Sequence, residues 1–275
     1  MANQSIQRTF APASSRRSRK DTVFTVLGVR VNAVQIPEVV AQMERWILVR
    51  DKCHFIAVTG MHGVTEAQHD PFFKKIINSA DLTVPDGMPL VWLGRGHGHA
   101  LKRRVYGPEL METFCSETGG AYRHFVFGGM PGVAASLGKT LSEKYKINVV
   151  GEYSPPFRAL SHDEDEEVLA RIRAAKPDVL WVGLSTPKQE RWMYEHRPKL
   201  SVPVLLGVGA AFDLCSGRTR QAPRWMRECG LEWCFRLLQE PRRLWRRYLL
   251  YGSEFVWNVT LELLSLRKFG AHKAS

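Results

Sequence analysis

From residue 23 onward, short apolar runs rich in β-branched and aromatic residues alternate with helical stretches, and this alternation limits the fold more than any other feature. Strand patterns fall at 23–31, 54–59, 81–84, 122–127, 149–153, 179–183 and 203–208. Helical patterns lie between them, at about 37–49, 71–78, 131–144, 162–175 and 187–197. Strands joined through helices imply right-handed crossovers and a mostly parallel sheet covered on both faces. The expected architecture is a doubly wound, Rossmann-like α/β domain over residues 23–215. Residues 1–22, rich in Ser, Ala and Arg and without hydrophobic periodicity, read as a flexible basic tail.

Past residue 216 the composition changes. Residues 217–252 hold nine arginines against three glutamates and no clear strand, so a helical appendage over 216–275 is expected. Projected as one helix over 240–264, the sequence puts Arg242, Arg243, Arg246 and Arg247 on one arc. Leu244, Trp245, Tyr248, Leu249, Tyr251, Phe255, Val256, Val259 and Leu263 fill the other. A helix of that kind either lies in a membrane interface or packs against the α/β core or across a subunit interface. The whole chain carries +12, which calls for an anionic partner: nucleic acid, a phosphorylated ligand or an acidic lipid surface. The longest apolar stretch, 202–212, is far short of the roughly 20 residues that span a bilayer. The first 20 residues lack the apolar core of a secretory signal, and the expected location is cytoplasmic. Five cysteines without a C-x-x-C pair, in mostly apolar contexts, read as buried thiols rather than disulfides or a zinc site.

In such a sheet, ligands bind beyond the carboxyl ends of the strands. Thr59-Gly60-Met61-His62-Gly63 follows one strand pattern and Pro85-Asp86-Gly87 the next. Asp86, held between proline and glycine, suits a general base facing a crevice; the alternative is a helix N-cap. His62 reads as a proton shuttle or a polar pocket wall. Gly128-Gly129-x-x-Gly132 opening a helix is either a phosphate cradle or a tight turn. It lacks the full dinucleotide fingerprint, which weighs against a nucleotide-dependent oxidoreductase. The acidic run 163–167 resembles a metal-holding pair but sits at a helix start, where acids favour the dipole. A nucleic-acid-binding module would use the arginine-rich end, yet neither a helix-turn-helix nor an aromatic RNA platform is recognisable.

Several ordered blocks carry a resemblance. Ala80 to Pro89, Arg104 to Leu110, Gly183 to Glu190, Gly207 to Asp213, Ala222 to Met226 and Gly230 to Trp233 resemble the signature segments of the WecB/TagA/CpsF glycosyltransferases, over roughly residues 24–250. The resemblance implies an inverting, metal-independent transferase without cofactor. It would move a sugar from a nucleotide-sugar donor, commonly UDP-linked, to a polyprenyl-diphosphate-linked acceptor sugar in bacterial surface-polysaccharide assembly. The family's base falls on Asp86, its active-site threonine on Thr59 and its glutamine on Gln189. Donor-binding positions implied are Gly128, Gly129, Gly183, Pro187, Lys188, Gly209 and Asp213. Arginines for the acceptor diphosphate or the membrane fall on Arg104, Arg236, Arg242, Arg243, Arg246 and Arg247. His62, where the family often has an asparagine nearby, is a candidate acceptor-side residue. The implied partners are the donor, the lipid-linked acceptor and the anionic inner face of the cytoplasmic membrane. Nucleic acid is not among them, and homo-oligomerisation stays open.

Overall fold

The first strand pattern contains a reversal. In a computed structural model that describes residues 22–270, β1 (Val23–Val26) and β2 (Val29–Asn32) form an antiparallel hairpin where one strand over 23–31 was expected. Leu27 and Gly28 both take positive φ, 50° and 78°, the backbone that a two-residue hairpin turn needs to match strand twist. The basic tail expected at 1–22 lies outside the described residues apart from Thr22, whose carbonyl accepts the Ala33 N–H at 2.7 Å.

The main sheet has six strands: β3 (His54–Thr59), β4 (Leu82–Pro85), β5 (Arg123–Gly128), β6 (Asn148–Tyr153), β7 (Val179–Gly183) and β8 (Val204–Gly207). Their order is β4-β3-β8-β7-β5-β6 and every neighbouring pair is parallel, as the alternation predicts. Both faces of the central strands are covered, which is why they read as continuous apolar runs. Ile56, Val58, Trp181 and Leu206 face α1 (Ile36–Val49), α5 (Gly107–Thr118), α6 (Val133–Tyr145) and α9 (Ala211–Cys215). Phe55, Ala57, Leu180 and Leu205 face α7 (His162–Ala175) and α8 (Lys188–His196). α7 opens on a capping box, with Ser161 and Glu164 exchanging side-chain-to-backbone hydrogen bonds. Glu164 also grips Arg158 through both oxygens at 2.6 Å, so this acidic run serves a helix start.

A third apolar cluster lies beside the β4 edge. It joins the hairpin to α2 (Met61–His69), α3 (Pro71–Asn78), α4 (Met88–Gly96) and a helix from the chain's C-terminal part. α2 carries Gly63, Val64 and Thr65, poor helix formers whose burial here outweighs propensity. The C-terminal part forms α10 (Arg224–Glu228), α11 (Glu232–Gln239), α12 (Pro241–Trp245), a π-helical turn (Arg246–Leu250) and α13 (Tyr251–Leu263). The π turn breaks the regular projection expected over 240–264. Phe255 and Val259 are buried in the third cluster and Leu244 is buried as well. Trp245, Leu249, Val256 and Leu263, placed on the same arc by the projection, are exposed instead. Cys115 is buried as expected of a core thiol, whereas Cys229 is exposed.

Glycines at the strand ends answer packing demands. A β-carbon at Gly183 would lie 2.5 Å from the Phe212 ring, itself fully buried. At Gly96, in the last turn of α4, nothing lies within 4 Å of that position. Gly183→Ala is therefore expected to lower stability by about 1–3 kcal/mol. Gly96→Ala should leave stability unchanged or raise it by up to about 1 kcal/mol. Urea denaturation of the two variants checks both values.

Candidate active site

The ends of β3 and β4 lie side by side, Thr59 in register with Pro85. The Asp86 N–H donates to the Thr59 carbonyl at 2.8 Å, and a β-carbon on Gly60 would fall 2.4 Å from the Asp86 carbonyl oxygen. Glycine at position 60 thus permits the close approach of the two chain segments. Gly87 follows with φ 120° and ψ 145°, and it, not Asp86, is the N-cap of α4. The helix-cap reading of Asp86 is set aside by that geometry. Its carboxylate accepts no hydrogen bond among the described residues and faces a cavity of about 110 Å³.

Three guanidinium groups reach this cavity from separate elements: Arg104 from the loop before α5, Arg236 from α11 and Arg247 from the π turn. Arg104 donates to one oxygen of Glu232 and the Tyr106 hydroxyl donates to the other. The Arg104 guanidinium also lies 4.1 Å from the centroid of the Tyr106 ring. Glu232 is buried at the start of α11, so this network ties the C-terminal helices to the α/β core. Burial raises the Asp86 pKa above the ordinary carboxylate range; Arg104 opposes that shift, Glu232 reinforces it, and Arg247 and Arg236 oppose it further. A carboxyl group free of hydrogen bonds and with raised proton affinity can accept a proton from a hydroxyl. The guanidinium groups beside it can meet a diphosphate bidentately.

His62 also lines the cavity, its ring 5.1 Å from that of Tyr251 and its Nδ1 buried without a partner. Burial, and then the charge of Arg247, push its pKa down to about 3. Both favour the neutral imidazole, in the wall of the cavity.

The remaining expected residues lie elsewhere. Arg242, Arg243 and Arg246 are exposed, Arg243 pairing with Glu240 at 2.7 Å. Thr59 is buried and does not line the cavity; its methyl is 3.1 Å from a β-carbon built on Gly63, and the Thr186 methyl is 3.7 Å from the same point. Behind that wall Gln189 is buried, donating to Glu190 Oε1 at 2.9 Å. Glu190 Oε1 also accepts the Thr186 hydroxyl at 2.9 Å, and burial raises the Glu190 pKa. Gly128, Gly129 and Gly183 pack backbone on backbone, with Gly129 N–H donating to the Gly183 carbonyl at 2.9 Å. The first N–H groups of α6 are taken by the Met130 carbonyl at 2.9 Å and the Ser154 hydroxyl at 3.3 Å, the pattern of the tight-turn alternative. Pro187 and the exposed Lys188 open α8, Gly209 takes φ 45° after β8, and Asp213 is half-buried on α9. These positions lie at the carboxyl ends of β5, β7 and β8, separated from β4, which Asp86 follows, by β3 or by β3 and further strands.

Tyr106, Glu232 and Arg227 escaped the sequence reading. Tyr106 and Glu232 stand inside the quoted blocks, and Glu232 is one of few acids in an arginine-rich stretch, which is the signal that could have found it.

Residues 24–269 match the Glycosyl transferase WecG/TagA/CpsF family. A relative from Bacillus spizizenii (strain ATCC 23059 / NRRL B-14472 / W23), an N-acetylglucosaminyldiphosphoundecaprenol N-acetyl-beta-D-mannosaminyltransferase, is 28% identical over 216 residues, covering 78% of this chain and 82% of the relative.

The Asp86 carboxyl is expected to titrate above the range of a free aspartate. Glu232→Gln removes a negative neighbour and should move that titration to lower pH; Arg104→Gln removes a positive one and should move it higher. Carboxyl carbon NMR shifts followed against pH check both directions.

Proposed function

The chain belongs to the WecG/TagA/CpsF family of glycosyltransferases, and on that premise we propose that it moves a sugar from a UDP-linked donor to the N-acetylglucosamine of a lipid-diphosphate acceptor, with inversion and without a metal ion. The acceptor follows the name of the Bacillus relative, whose substrate is N-acetylglucosaminyldiphosphoundecaprenol. The observation that carries the reading is the Asp86 carboxylate, free of hydrogen bonds among the described residues and sharing its cavity with Arg104, Arg236 and Arg247.

Direct displacement needs one base. Asp86 takes the proton of the acceptor hydroxyl as its oxygen bonds to the anomeric carbon. The bond from that carbon to the nucleoside diphosphate breaks, and the diphosphate leaves with the electron pair. No covalent enzyme intermediate forms, so a second carboxylate is not required. The guanidinium groups meet the charge that grows on the leaving phosphates. Thr59 acts by holding Asp86 through its carbonyl, and Gln189 and the glycines over β5, β7 and β8 shape the donor crevice. His62, neutral and unpartnered at Nδ1, offers a hydrogen bond on the acceptor side.

Among the described residues no helix is long and apolar enough to cross a membrane. Trp245, Leu249, Leu250, Val256 and Trp257 are exposed along the C-terminal helices, next in sequence to exposed Arg242, Arg243 and Arg246. Apolar side chains with flanking cations suit a bilayer surface, where each Lys or Arg near anionic lipid contributes about 1 kcal/mol. The enzyme would work at the inner face of the cytoplasmic membrane, where its lipid-linked acceptor resides. The oxidoreductase and nucleic-acid readings have no observation in their favour.

The direct test is a panel of nucleotide sugars with a short-chain lipid-diphosphate N-acetylglucosamine, read by product mass; no product from any donor would overturn the reading. Asp86→Asn should keep donor affinity while turnover falls by about 10²–10⁴, and excess chelator should leave the wild-type rate unchanged. Trp245→Glu combined with Leu249→Glu should abolish co-sedimentation with anionic vesicles without lowering the melting temperature, since both side chains are exposed.

A further inference from the structure

We propose that a second, more open pocket beside the Asp86 cavity is the subsite for the acceptor's diphosphate; the assignment rests on the glycosyltransferase reading above. This pocket, of about 440 Å³, is walled by Arg95, Lys102, Arg103, Arg104 and Arg227 with Glu109 and Met88. It shares Met88 and Arg104 with the Asp86 cavity, so the two spaces adjoin.

The charge of the two spaces differs. Around Asp86, three arginines stand against two carboxylates, Asp86 and Glu232. Among the described residues, five cations and one carboxylate line the outer pocket, and that carboxylate, Glu109, lies 3.5 Å from Arg103. Arg95 spends its Nε and Nη2 on the carbonyls of Leu101 and Lys102, at 2.7 and 2.8 Å, which fixes the loop that presents Lys102. Lys102 is exposed. Arg227 Nε is buried and has no hydrogen-bond partner, although a guanidinium carries five donors. These are the marks of a site for a dianionic or more highly charged group.

The reaction handles two diphosphates. One leaves with the nucleotide and must lie across the anomeric carbon from Asp86. The other joins the acceptor sugar to its lipid, takes no part in bond making, and still has to be held so that the sugar hydroxyl meets Asp86. The outer pocket satisfies that second demand. Its neighbourhood is also partly apolar: Trp92 is exposed, and its ring edge is 3.9 Å from a β-carbon built on Gly230, which in turn packs on Met88. A prenyl chain leaving the diphosphate can run over that surface.

The test uses the full-length protein with farnesyl diphosphate and UDP as separate probes in titration calorimetry. Lys102→Ala with Arg227→Gln should weaken farnesyl diphosphate by about tenfold or more for each cation removed, with UDP affinity unchanged and Lys102→Arg behaving as wild type. Equal weakening of UDP by Lys102→Ala alone, an exposed change that leaves the fold intact, would overturn the assignment by giving the pocket to the donor. Unaltered affinity for both probes would overturn it as well. Sugar transfer by the wild-type protein is a separate readout: probe binding as expected without any transfer would sink the transferase reading and leave a diphosphate-lipid site standing.

Discussion

Asp86 and the guanidinium groups of Arg104, Arg236 and Arg247 share one small cavity, and their mutual field sets what each can do. Burial alone drives a carboxyl group toward its neutral form, and three cations alone would hold it ionised and a poor base. Glu232 adjusts the balance. By accepting from Arg104 it engages one of the cations, and by its own charge it raises the proton affinity of Asp86. The Tyr106 hydroxyl fills the other oxygen of Glu232, so that carboxylate is held to both neighbours. Among the described residues Asp86 is left without side-chain hydrogen bonds while Glu232 is fully engaged, the arrangement that the proposed role as proton acceptor needs.

The fold delivers this arrangement by two independent routes. The α/β sheet supplies Asp86 where β4 ends beside β3, and the approach is close because Gly60 has no side chain to meet the Asp86 carbonyl. The C-terminal helices supply Arg236, Arg247 and Glu232. Those helices are held in place by packing on the core: Phe255 and Val259 enter the apolar cluster of the hairpin and α2, and the Thr65 hydroxyl donates to the Tyr251 carbonyl at 3.3 Å. Sequence segments more than a hundred residues apart therefore meet at one carboxylate, Arg104 and Tyr106 from one side and Glu232 from the other.

The parallel sheet was legible because strands buried on both faces must be apolar throughout, and because helices between them leave their own period. The place of Asp86 at a strand end was legible, but spacing left the helix-cap alternative open, and only the fold shows that the cap of α4 is Gly87. The hairpin was hidden because its turn uses Leu27, a residue whose identity gives no hint of positive φ, inside one apolar run. α2 was hidden by Gly63, Val64 and Thr65, whose helical state is decided by burial. The C-terminal helices defeated a projection at a fixed angle because the π turn resets the phase, sending Arg247 inward while Arg246 faces solvent. Glu232 could be seen as an isolated acid among arginines. That it engages Arg104 and Tyr106 is a fact of tertiary packing.

The inward turn of Arg247 has an energetic consequence. A guanidinium removed from water loses solvation that a neighbouring charge or hydrogen bond must replace, and clustered cations make the deficit larger. Arg247 is held below the usual arginine pKa by burial, with Arg236 adding repulsion, and Arg236 Nε has no partner among the described residues. A sequence optimised for stability alone would place apolar residues at these positions, as it does at Leu244 and Phe255 on the same run of helix. Keeping the cations there is reasonable when an anion completes the site, because the same deficit then favours binding of the phosphates. On the proposed reading, stability given up in the C-terminal helices would reappear as affinity for a diphosphate beside Asp86, which would give the charge of the chain and the chemistry of its cavity a common origin.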